Sequence, residues 1–284
     1  MIGAARRAPA VLGESASLVA NFLHEQLAAD GGFAGPDGKP DLYYTVFGID
    51  GLMALGGELP HAALSSFVRR FGDGEGLDLV HLACLARCRA ALADTGAGTP
   101  LLARIESHRS ADGGYARTPG AAQGTAYACF LALGAWQDLA AEPPEPEGIV
   151  RCLDGLRTPD GGYANEADVP VGSTPATAAA ACSLRHLGAP VDADVADWLL
   201  ARHGLEGGFR AVPIAPVPDL LSTATALHAL AGLGADVAPV REACLDFVDS
   251  LWSRRGAFCG TTLDRTPDCE YTFYGLLALG HLAR

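Results

Sequence analysis

Two carboxylic acids stand close together near the end of the chain, where a polar loop gives way to an apolar segment. Asp268 and Glu270 flank Cys269, and Tyr271 follows them directly. Carboxylates at this spacing could bind a metal ion through their oxygens, or act as a general acid and base. Asp268 also has a structural interpretation, since aspartate is a favoured helix N-cap. Glu270, at the buried start of a predicted helix, is harder to explain as a cap and favours a functional site.

The loop before these acids belongs to a phrase that recurs along the whole chain: a polar residue, two small residues and an aromatic residue. It occurs at residues 30–33, 112–115, 160–163 and 206–209, and in a weaker form at 255–258. Successive second small residues are 82, 48, 46 and 49 positions apart. The first interval is about twice the others, and a degenerate glycine-rich unit at 72–76 fills it. Six units at a fixed period indicate a repeat array.

Each unit predicts a pair of helices that are separated by a loop rich in glycine, proline and aspartate. The first helix of each pair is amphipathic, whereas the second is apolar around most of its circumference and should be buried on both sides. The second helices are predicted over residues 41–55, 78–91, 123–139, 173–187, 219–233 and 268–282. Glycine permits the positive φ of a tight turn, so the recurring phrase itself is interpreted as architecture. The six hairpins predict one all-α domain over residues 1–284, a double ring of inner and outer helices called an α/α toroid.

The composition excludes several classes of protein. The chain has 20 Lys and Arg against 33 Asp and Glu, a net charge of −13. This charge is unsuited to binding nucleic acid or an anionic membrane surface, both of which attract basic residues. We find no apolar run of the roughly 18–20 residues that a bilayer span requires. The eight cysteines lie mostly in apolar helical patterns, as reduced thiols do, and we expect a cytoplasmic protein.

Two segments carry a resemblance to a known family. Residues 31–52 resemble a repeat of the protein prenyltransferase β subunits, closest to the Rab geranylgeranyltransferase type, and residues 267–275 resemble the metal-bearing repeat of that family. Phe22, Leu23 and Gln26, with the glycines that follow, are similar to the repeat phrase of squalene and oxidosqualene cyclases. Both groups have α/α-toroid folds with a cavity for an isoprenoid. The resemblance covers essentially the whole chain.

The resemblance implies a zinc site with an altered ligand set. In protein prenyltransferases zinc is held by an Asp-x-Cys-Tyr phrase and a histidine of the following repeat, and it presents the substrate thiol as a thiolate. Asp268 and Tyr271 match the phrase, but Glu270 stands at the cysteine position and Cys269 one residue early. Tyr44 stands at the histidine position. We therefore expect Asp268, Glu270 and Cys269 as metal ligands, and Asp268, Glu270, Tyr271 and Tyr44 as catalytic residues.

The order of these repeats is rotated relative to the family, because the unit that resembles the histidine-bearing repeat comes first here. In a closed ring the first and last units are neighbours, so Asp41 and Tyr44 should still converge with Asp268 and Glu270. Family members also hold the substrate diphosphate with basic residues. Arg265 matches a family lysine, whereas the companion arginine is missing. Lys39 and Arg210, on loops of the same rim, are further candidates for binding substrate, together with Asp41.

Other constellations remain open at this point. His81, Cys84 and Cys88 could share one helix face as metal ligands or simply pack in the core. The Asp-x-Asp-Asp acid phrase of class II terpene cyclases is absent, which leaves Glu270 or Asp50 as the acid of any cyclase. The aromatic residues near the starts of the inner helices could line an isoprenoid cavity or belong to the core.

The favoured function is therefore a prenyltransferase β-subunit-like protein that binds an isoprenoid diphosphate in a central cavity and transfers the prenyl group, with zinc as cofactor. A terpenoid cyclase-like enzyme and a non-catalytic isoprenoid-binding or scaffold protein are the alternatives. The resemblance also implies an α-subunit-like protein partner. Nucleic acid is not expected as a partner, and a transmembrane segment is not expected either.

Overall fold

The computed structural model describes residues 1–94 and 98–283. These residues are largely helical, in agreement with the predicted all-α class. The chain divides into two compact units, one formed by Met1–Ala63 with Leu199–Arg284 and the other by Leu64–Trp198. The prediction that the six repeats form one domain stays a prediction. None of the helices in the described ranges is both long and apolar enough to cross a membrane.

The helices follow one another in the alternating order that the repeats predict. In chain order they are α1 (Ile2–Ala5), α2 (Pro9–Leu12), α3 (Ala16–Glu25), α4 (Leu42–Ala54), α5 (His61–Arg69), α6 (Leu79–Ala91), α7 (Gly98–Glu106), α8 (Ala126–Asp138), α9 (Pro146–Asp154), α10 (Thr174–His186), α11 (Asp194–Leu200), α12 (Leu220–Leu233), α13 (Arg241–Ser250) and α14 (Cys269–Leu282). Two short strands, β1 (Phe33–Ala34) and β2 (Pro40–Asp41), pair antiparallel, with Phe33 opposite Asp41. Short 3-10 turns lie at Gly13–Ser15 and Ala238–Val240.

The inner helices α4, α6, α8, α10, α12 and α14 begin at side-chain caps. The capping residues are Asp41, Asp78, Thr125, Ser173, Asp219 and Asp268, and each accepts the backbone N–H three residues later. Such caps satisfy amide groups that the first turn of a helix leaves without partners. Five of the six predicted starts are confirmed. The helix predicted from Gln123 begins later, after Thr125, because that threonine provides the cap.

The recurring glycine pair forms the turn between the two helices of a repeat. Its first glycine has a φ of +93° at Gly31 and +90° at Gly207, a region that favours glycine. A Cβ at Gly207 would overlap the backbone of Ala243 on the next outer helix. The aromatic residue of the phrase donates its backbone N–H to a buried side chain in the first turn of the following inner helix. At Phe209 the acceptor is Thr223 Oγ1, at 2.9 Å. The phrase is therefore architecture, as expected.

The first and last repeats are neighbours in the unit that contains both chain ends. In this unit α14 packs against α4 and α12. The short helix α1, which the repeat pattern does not predict, also packs on α14, where Arg7 Nε donates to the carbonyl of Gly280 at 2.8 Å. The absence of a side chain at Gly280 permits this contact, since a Cβ there would overlap the backbone of Ala4. The packing places the N-terminal ends of α4 and α14 side by side.

Candidate functional site

The paired starts of α4 and α14 bring together the acidic residues expected at the site. Asp41 Oδ1 accepts the N–H of Tyr44 at 2.7 Å, and Asp268 Oδ1 accepts the N–H of Tyr271 at 2.8 Å. The two helices thus begin with the same Asp-x-x-Tyr arrangement. The expectation that the rotated repeats converge agrees with this geometry. Both aspartates act as caps, so a second role for either must use the remaining carboxylate oxygen.

Unlike Asp41 and Asp268, Glu270 does not cap a helix, so its carboxyl group is available for another role. Its Oε1 accepts a hydrogen bond from the hydroxyl of Tyr43 at 2.7 Å, across the α4–α14 contact. Burial raises the pKa of Glu270 to about 7, with the Asp268 charge adding to the rise and the Tyr43 hydrogen bond opposing it. A carboxyl group with this pKa can both donate and accept a proton near neutral pH.

Asp268 shares the same buried environment. Its residue is only 6% exposed, and burial raises its pKa to about 6, although the backbone amides of Tyr271 and Glu270 favour the ionised form. Removing a carboxylate from water disfavours its charge, and the nearby carboxylate of Asp264 adds to the effect on Asp268. With pKa values raised to about 6 and about 7, Asp268 and Glu270 can both exchange protons near neutral pH, which suits acid-base chemistry.

Two tyrosines accompany the carboxyl groups. The ring of Tyr44 lies on Gly35 and that of Tyr271 on Gly260, where a Cβ would collide with either ring. Burial and the nearby charges of Asp268, Glu270 and Asp41 raise the pKa of Tyr44 to about 12. Burial and the carboxylates likewise raise the pKa of Tyr271. Both phenols keep their protons at neutral pH and can donate hydrogen bonds.

Aromatic rings extend from the Tyr43–Glu270 contact along both helices. Phe47 lies 5.1 Å from Tyr43 between ring centroids, and 5.6 Å from Tyr274 of α14. Phe273 is 6.0 Å from Phe47 and contributes the buried side of this group. The faces of such rings attract cations. An acid thus lies beside a surface that can stabilise positive charge on carbon.

The donors expected for zinc do not fit a zinc site. Cys269 is completely buried, and burial with the Asp268 charge raises the pKa of its thiol, whereas zinc requires a thiolate. Glu270 is engaged by Tyr43, and one oxygen of Asp268 by the helix backbone. Within residues 1–94 and 98–283, no three His, Cys, Asp or Glu side chains are grouped to hold a metal ion.

The alternative metal face on α6 is explained by local structure. His81 Nδ1 lies 2.7 Å from Oδ1 of Asp78, the residue that caps this helix, while Cys84 and Cys88 are buried. The two cysteines therefore belong to the core of the second unit, which agrees with the alternative that these residues pack in the core.

The three basic residues expected to bind substrate lie on separate loops with other partners. Arg265 is exposed and donates from Nη1 to the carbonyl of Ser250 at 2.7 Å. Lys39 is exposed, with Nζ 4.0 Å from Asp37. Arg210 pairs with a glutamate of its own turn and lines a small cavity. A diphosphate clamp formed by these residues stays a prediction.

Sequence reasoning included Tyr43 and Phe47 among the aromatic residues that could line a cavity or belong to the core, but it missed Tyr43 as the partner of Glu270. The signal was present in the repeats. Tyr43 stands two residues after the cap Asp41, just as Glu270 stands two residues after the cap Asp268. Superposing the first and last repeats would therefore have aligned these two side chains on neighbouring helices.

Solved structures with the same fold carry different activities. The chain has a TM-score of 0.72 and 14% identity with Candida albicans protein geranylgeranyltransferase-I complexed with GGPP, over 94% of this chain and 90% of that chain. A type II terpene cyclase from Scytonema, bound to geranylgeranyl dihydroxybenzoate, gives 0.68 and 16%, over 96% of both chains. An α-1,6-mannanase of Salegentibacter gives 0.64 and 13%, over 96% and 99%. At these identities the matches show the fold alone.

No curated protein matches the sequence closely enough to serve as a relative. The sequence does match the profile of the prenyltransferase alpha-alpha toroid domain, over residues 12–68 and 177–283. These ranges exceed half of the chain and contain the starts of α4 and α14. The fold is an α/α toroid, and the chain belongs to the prenyltransferase alpha-alpha toroid domain family.

Proposed function

We propose that this chain is an isoprenoid-converting enzyme in which Glu270 acts as a general acid towards a carbon–carbon double bond. The observation that carries the proposal is the 2.7 Å hydrogen bond between Glu270 and Tyr43, beside the aromatic group of Phe47 and Tyr274. The raised pKa of Glu270 supports it, because a proton donor must keep its proton at the working pH. The proposed reaction is therefore of the terpenoid cyclase class.

The proton transfer follows directly from this arrangement. The O–H bond of Glu270 breaks while the π electrons of the alkene form a new C–H bond, which leaves a carbocation on the substrate and a carboxylate on Glu270. The hydroxyl of Tyr43 donates to that carboxylate and stabilises its charge. Attack by a second double bond closes a ring and moves the cation along the chain, where aromatic faces attract it. Loss of a proton from the final cation to Glu270 restores the acid and completes the cycle; if water takes that proton instead, Glu270 regains one from the solvent.

The class of substrate is inferred from the structural neighbours. The Scytonema cyclase binds geranylgeranyl dihydroxybenzoate, and the Candida enzyme binds GGPP. A twenty-carbon polyprenyl chain is therefore the first substrate to test. Asp268 holds the start of α14 through its cap and thereby positions Glu270, while Tyr44 and Tyr271 are proposed to donate hydrogen bonds near the reacting end.

Transfer of the prenyl group from a diphosphate is the second candidate, supported by the match to the geranylgeranyltransferase. In that reaction Arg265, Lys39 and Arg210, with Asp41, would bind the substrate, and an α-subunit-like partner would complete the enzyme. We place it second because the three cations have other partners and the zinc donors do not fit. A protein that only binds the isoprenoid is the third outcome of the test.

A cytoplasmic location is supported by eight cysteines without disulfides.

The test compares product formation from geranylgeranyl diphosphate and from a geranylgeranyl arene in deuterium oxide. Cyclisation incorporates deuterium from the solvent and forms an isomer of the substrate, whereas transfer releases diphosphate and requires an acceptor. We expect Glu270→Gln to reduce the rate by about 10²–10⁴-fold, the usual contribution of a general acid. The matched control is Glu58→Gln, a change at an exposed glutamate of the same unit, and it should keep the wild-type rate.

Other outcomes would redirect the assignment. Diphosphate release without deuterium uptake, at an undiminished rate in Glu270→Gln, would favour the transferase. Thermal stabilisation by the lipid without turnover would favour the binding protein. Deuterium uptake that survives Glu270→Gln would exclude Glu270 as the acid.

A further inference from the structure

Two buried cysteines of the second unit lie in contact with each other. Cys129 is in the first turn of α8 and Cys152 is on α9, and their sulfur atoms are 3.9 Å apart. Cys129 is completely buried, whereas Cys152 is 4% exposed. A disulfide bond has a length of about 2.05 Å, so rotation of the two side chains has to bring these sulfur atoms together. The two thiols are therefore candidates for a covalent bond between α8 and α9.

The position of Cys129 accepts a backbone hydrogen bond in each copy of the recurring phrase. The aromatic residue of the phrase donates its N–H to a threonine in four copies, namely to Thr45, Thr177, Thr223 and Thr272. In the remaining copy Tyr115 donates to Sγ of Cys129 at 3.3 Å. Sulfur is a weaker acceptor than a hydroxyl oxygen, so this hydrogen bond by itself gives no reason for a cysteine here.

The position of Cys152 also differs from its counterparts. In the next repeat the second glycine of the phrase packs against a large ring of the outer helix, since a Cβ at Gly162 would meet Trp198, and Phe247 has the same role one repeat later. At Gly114 the residue in this place is Cys152, whose Sγ would lie 2.3 Å from such a Cβ. Two residues in contact thus depart from the repeat pattern together, and both are cysteine. Core packing does not require this coincidence, whereas a reaction between two thiols does.

The surroundings favour a thiolate at Cys129. Contact with the Cys152 thiol lowers the pKa of Cys129 and outweighs the effect of burial, and the N–H of Tyr115 acts in the same direction as that contact. The same contact raises the pKa of Cys152, with burial and the charge of Asp112 adding to the rise. One sulfur can therefore act as a nucleophile while the other keeps its proton. This difference suits an attacking cysteine and a resolving cysteine.

We propose that Cys129 and Cys152 form an intramolecular disulfide bond when the protein meets a small hydroperoxide. The sulfur of Cys129 attacks one peroxide oxygen and the O–O bond breaks. The hydroxide that leaves takes up the proton that Cys129 released, which gives water and a sulfenic acid on Cys129. The sulfur of Cys152 then attacks the sulfur of Cys129, the S–O bond breaks, and a second water leaves with the thiol proton of Cys152. The two thiols together lose two electrons, and the peroxide is reduced to two waters.

The place of the pair in the fold suits a small oxidant. Cys152 keeps its exposed fraction beside Gly124, where a largely exposed loop of residues 117–123 ends, and a Cβ at Gly124 would lie 2.7 Å from the Cys152 sulfur. In reducing compartments disulfides are usually transient, which agrees with the two free thiols of this structure. The pair does not involve Glu270, so the proposal stands independently of the proposed function.

Peptide mapping of the full chain under non-reducing conditions, after treatment with hydrogen peroxide, tests the proposal. Trypsin cleaves after Arg151 and so separates the two cysteines. We expect one cross-link, between the peptides that contain Cys129 and Cys152, and a fall from eight free thiols per chain to six. Dithiothreitol should restore all eight thiols.

Two variants address the roles of the two cysteines. Cys129→Thr introduces the residue of the other repeats and keeps an acceptor for the Tyr115 amide, so it should fold normally and form no cross-link. Cys152→Ser should leave the sulfenic acid on Cys129 without a resolving thiol, and dimedone should label it there.

Cys244→Ser is the matched control, since Cys244 is a buried cysteine of α13 outside the pair. It should form the cross-link as the wild type does. The same loss of thiols in Cys129→Thr as in Cys244→Ser would overturn the proposal. A cross-link between other cysteines would overturn it too, and so would eight remaining thiols at a peroxide dose that fully oxidises free glutathione.

Discussion

Replacing Glu270 by glutamine should change how the stability of this protein depends on pH. The pKa of Glu270 rises from the ordinary 4.5 of a glutamate to about 7 in the folded chain, mainly through burial. A raised pKa means that the folded state favours the protonated form. The stability gained from that proton is fully present below about pH 4.5 and is lost as the pH rises through about 7. Each unit of pKa difference corresponds to about 1.4 kcal/mol.

Ionisation of Glu270 should lower the free energy of unfolding by about 2–3 kcal/mol between these two pH values, after allowance for solvent screening of a partly exposed group. The glutamine variant cannot ionise, so it should lack this loss. Asp268, whose pKa is raised to about 6, contributes part of the pH dependence of stability in both the wild type and the glutamine variant. The free energy of unfolding, measured by urea denaturation near pH 4.5 and well above pH 7, should therefore fall less in Glu270→Gln than in the wild type.

Two further variants make the measurement specific. Glu58→Gln, at an exposed position, should follow the wild-type curve. Tyr43→Phe removes a donor that favours ionised Glu270, so its stability should fall more steeply with pH than that of the wild type. If Glu270→Gln and Glu58→Gln show the same pH dependence, Glu270 ionises like an ordinary surface acid. The proposed proton donor would then lose its physical basis.

Four other outcomes are expected. Gly207→Ala should cost about 3 kcal/mol of stability, because its φ is +90° and its Cβ would meet backbone, whereas Gly56→Ala, at φ +70° in open space, should cost only about 1–2 kcal/mol; equal costs would contradict the packing of the turn. Thr223→Val removes the acceptor of the buried Phe209 amide and should cost about 1–3 kcal/mol in denaturant unfolding, and a neutral result would show that this bond contributes nothing. Elemental analysis should find well below one zinc per chain, with no change in Asp268→Asn; a full equivalent that the variant loses would show that the donor set does bind zinc. Turnover on a polyprenyl substrate should fall about tenfold per pH unit above about pH 7, as Glu270 loses its proton, and a flat profile would oppose its role as the acid.

Local rules along the sequence account for most of the architecture. Glycine at a fixed position of each repeat predicted a turn with positive φ, and Gly31 and Gly207 have one. Aspartate before an apolar helical pattern predicted the caps at Asp41 and Asp268. These features depend on a few neighbouring residues, whose conformational preferences act over one turn of the chain. The short helix α1 lacks such a signal, because its position depends on contact with α14.

The sequence predicted the location of the candidate site but not its contacts. Repeat order alone indicated that the first and last units would meet, which directs attention to Asp268 and Glu270. The hydrogen bond from Tyr43 to Glu270 requires the actual packing of α4 on α14. This packing also buries the carboxyl groups of Asp268 and Glu270, and their burial raises both pKa values. The sequence also could not predict the direction in which long side chains point. Arg265 matches a family lysine by position, yet its guanidinium turns to the carbonyl of Ser250.

The amino-acid sequence by itself therefore determined the repeat, the helix pairs, their turns and their caps, because these follow from backbone preferences over short distances. Only the tertiary structure decided which carboxyl groups have raised pKa values, which residues the arginines contact and that Cys269 is buried rather than presented to a ligand. Those properties depend on desolvation and on contacts between residues more than two hundred positions apart, such as Tyr43 and Glu270. Comparison of the repeats can indicate which of these residues lie on neighbouring helices, but it does not give their hydrogen bonds or their burial, which set the pKa values.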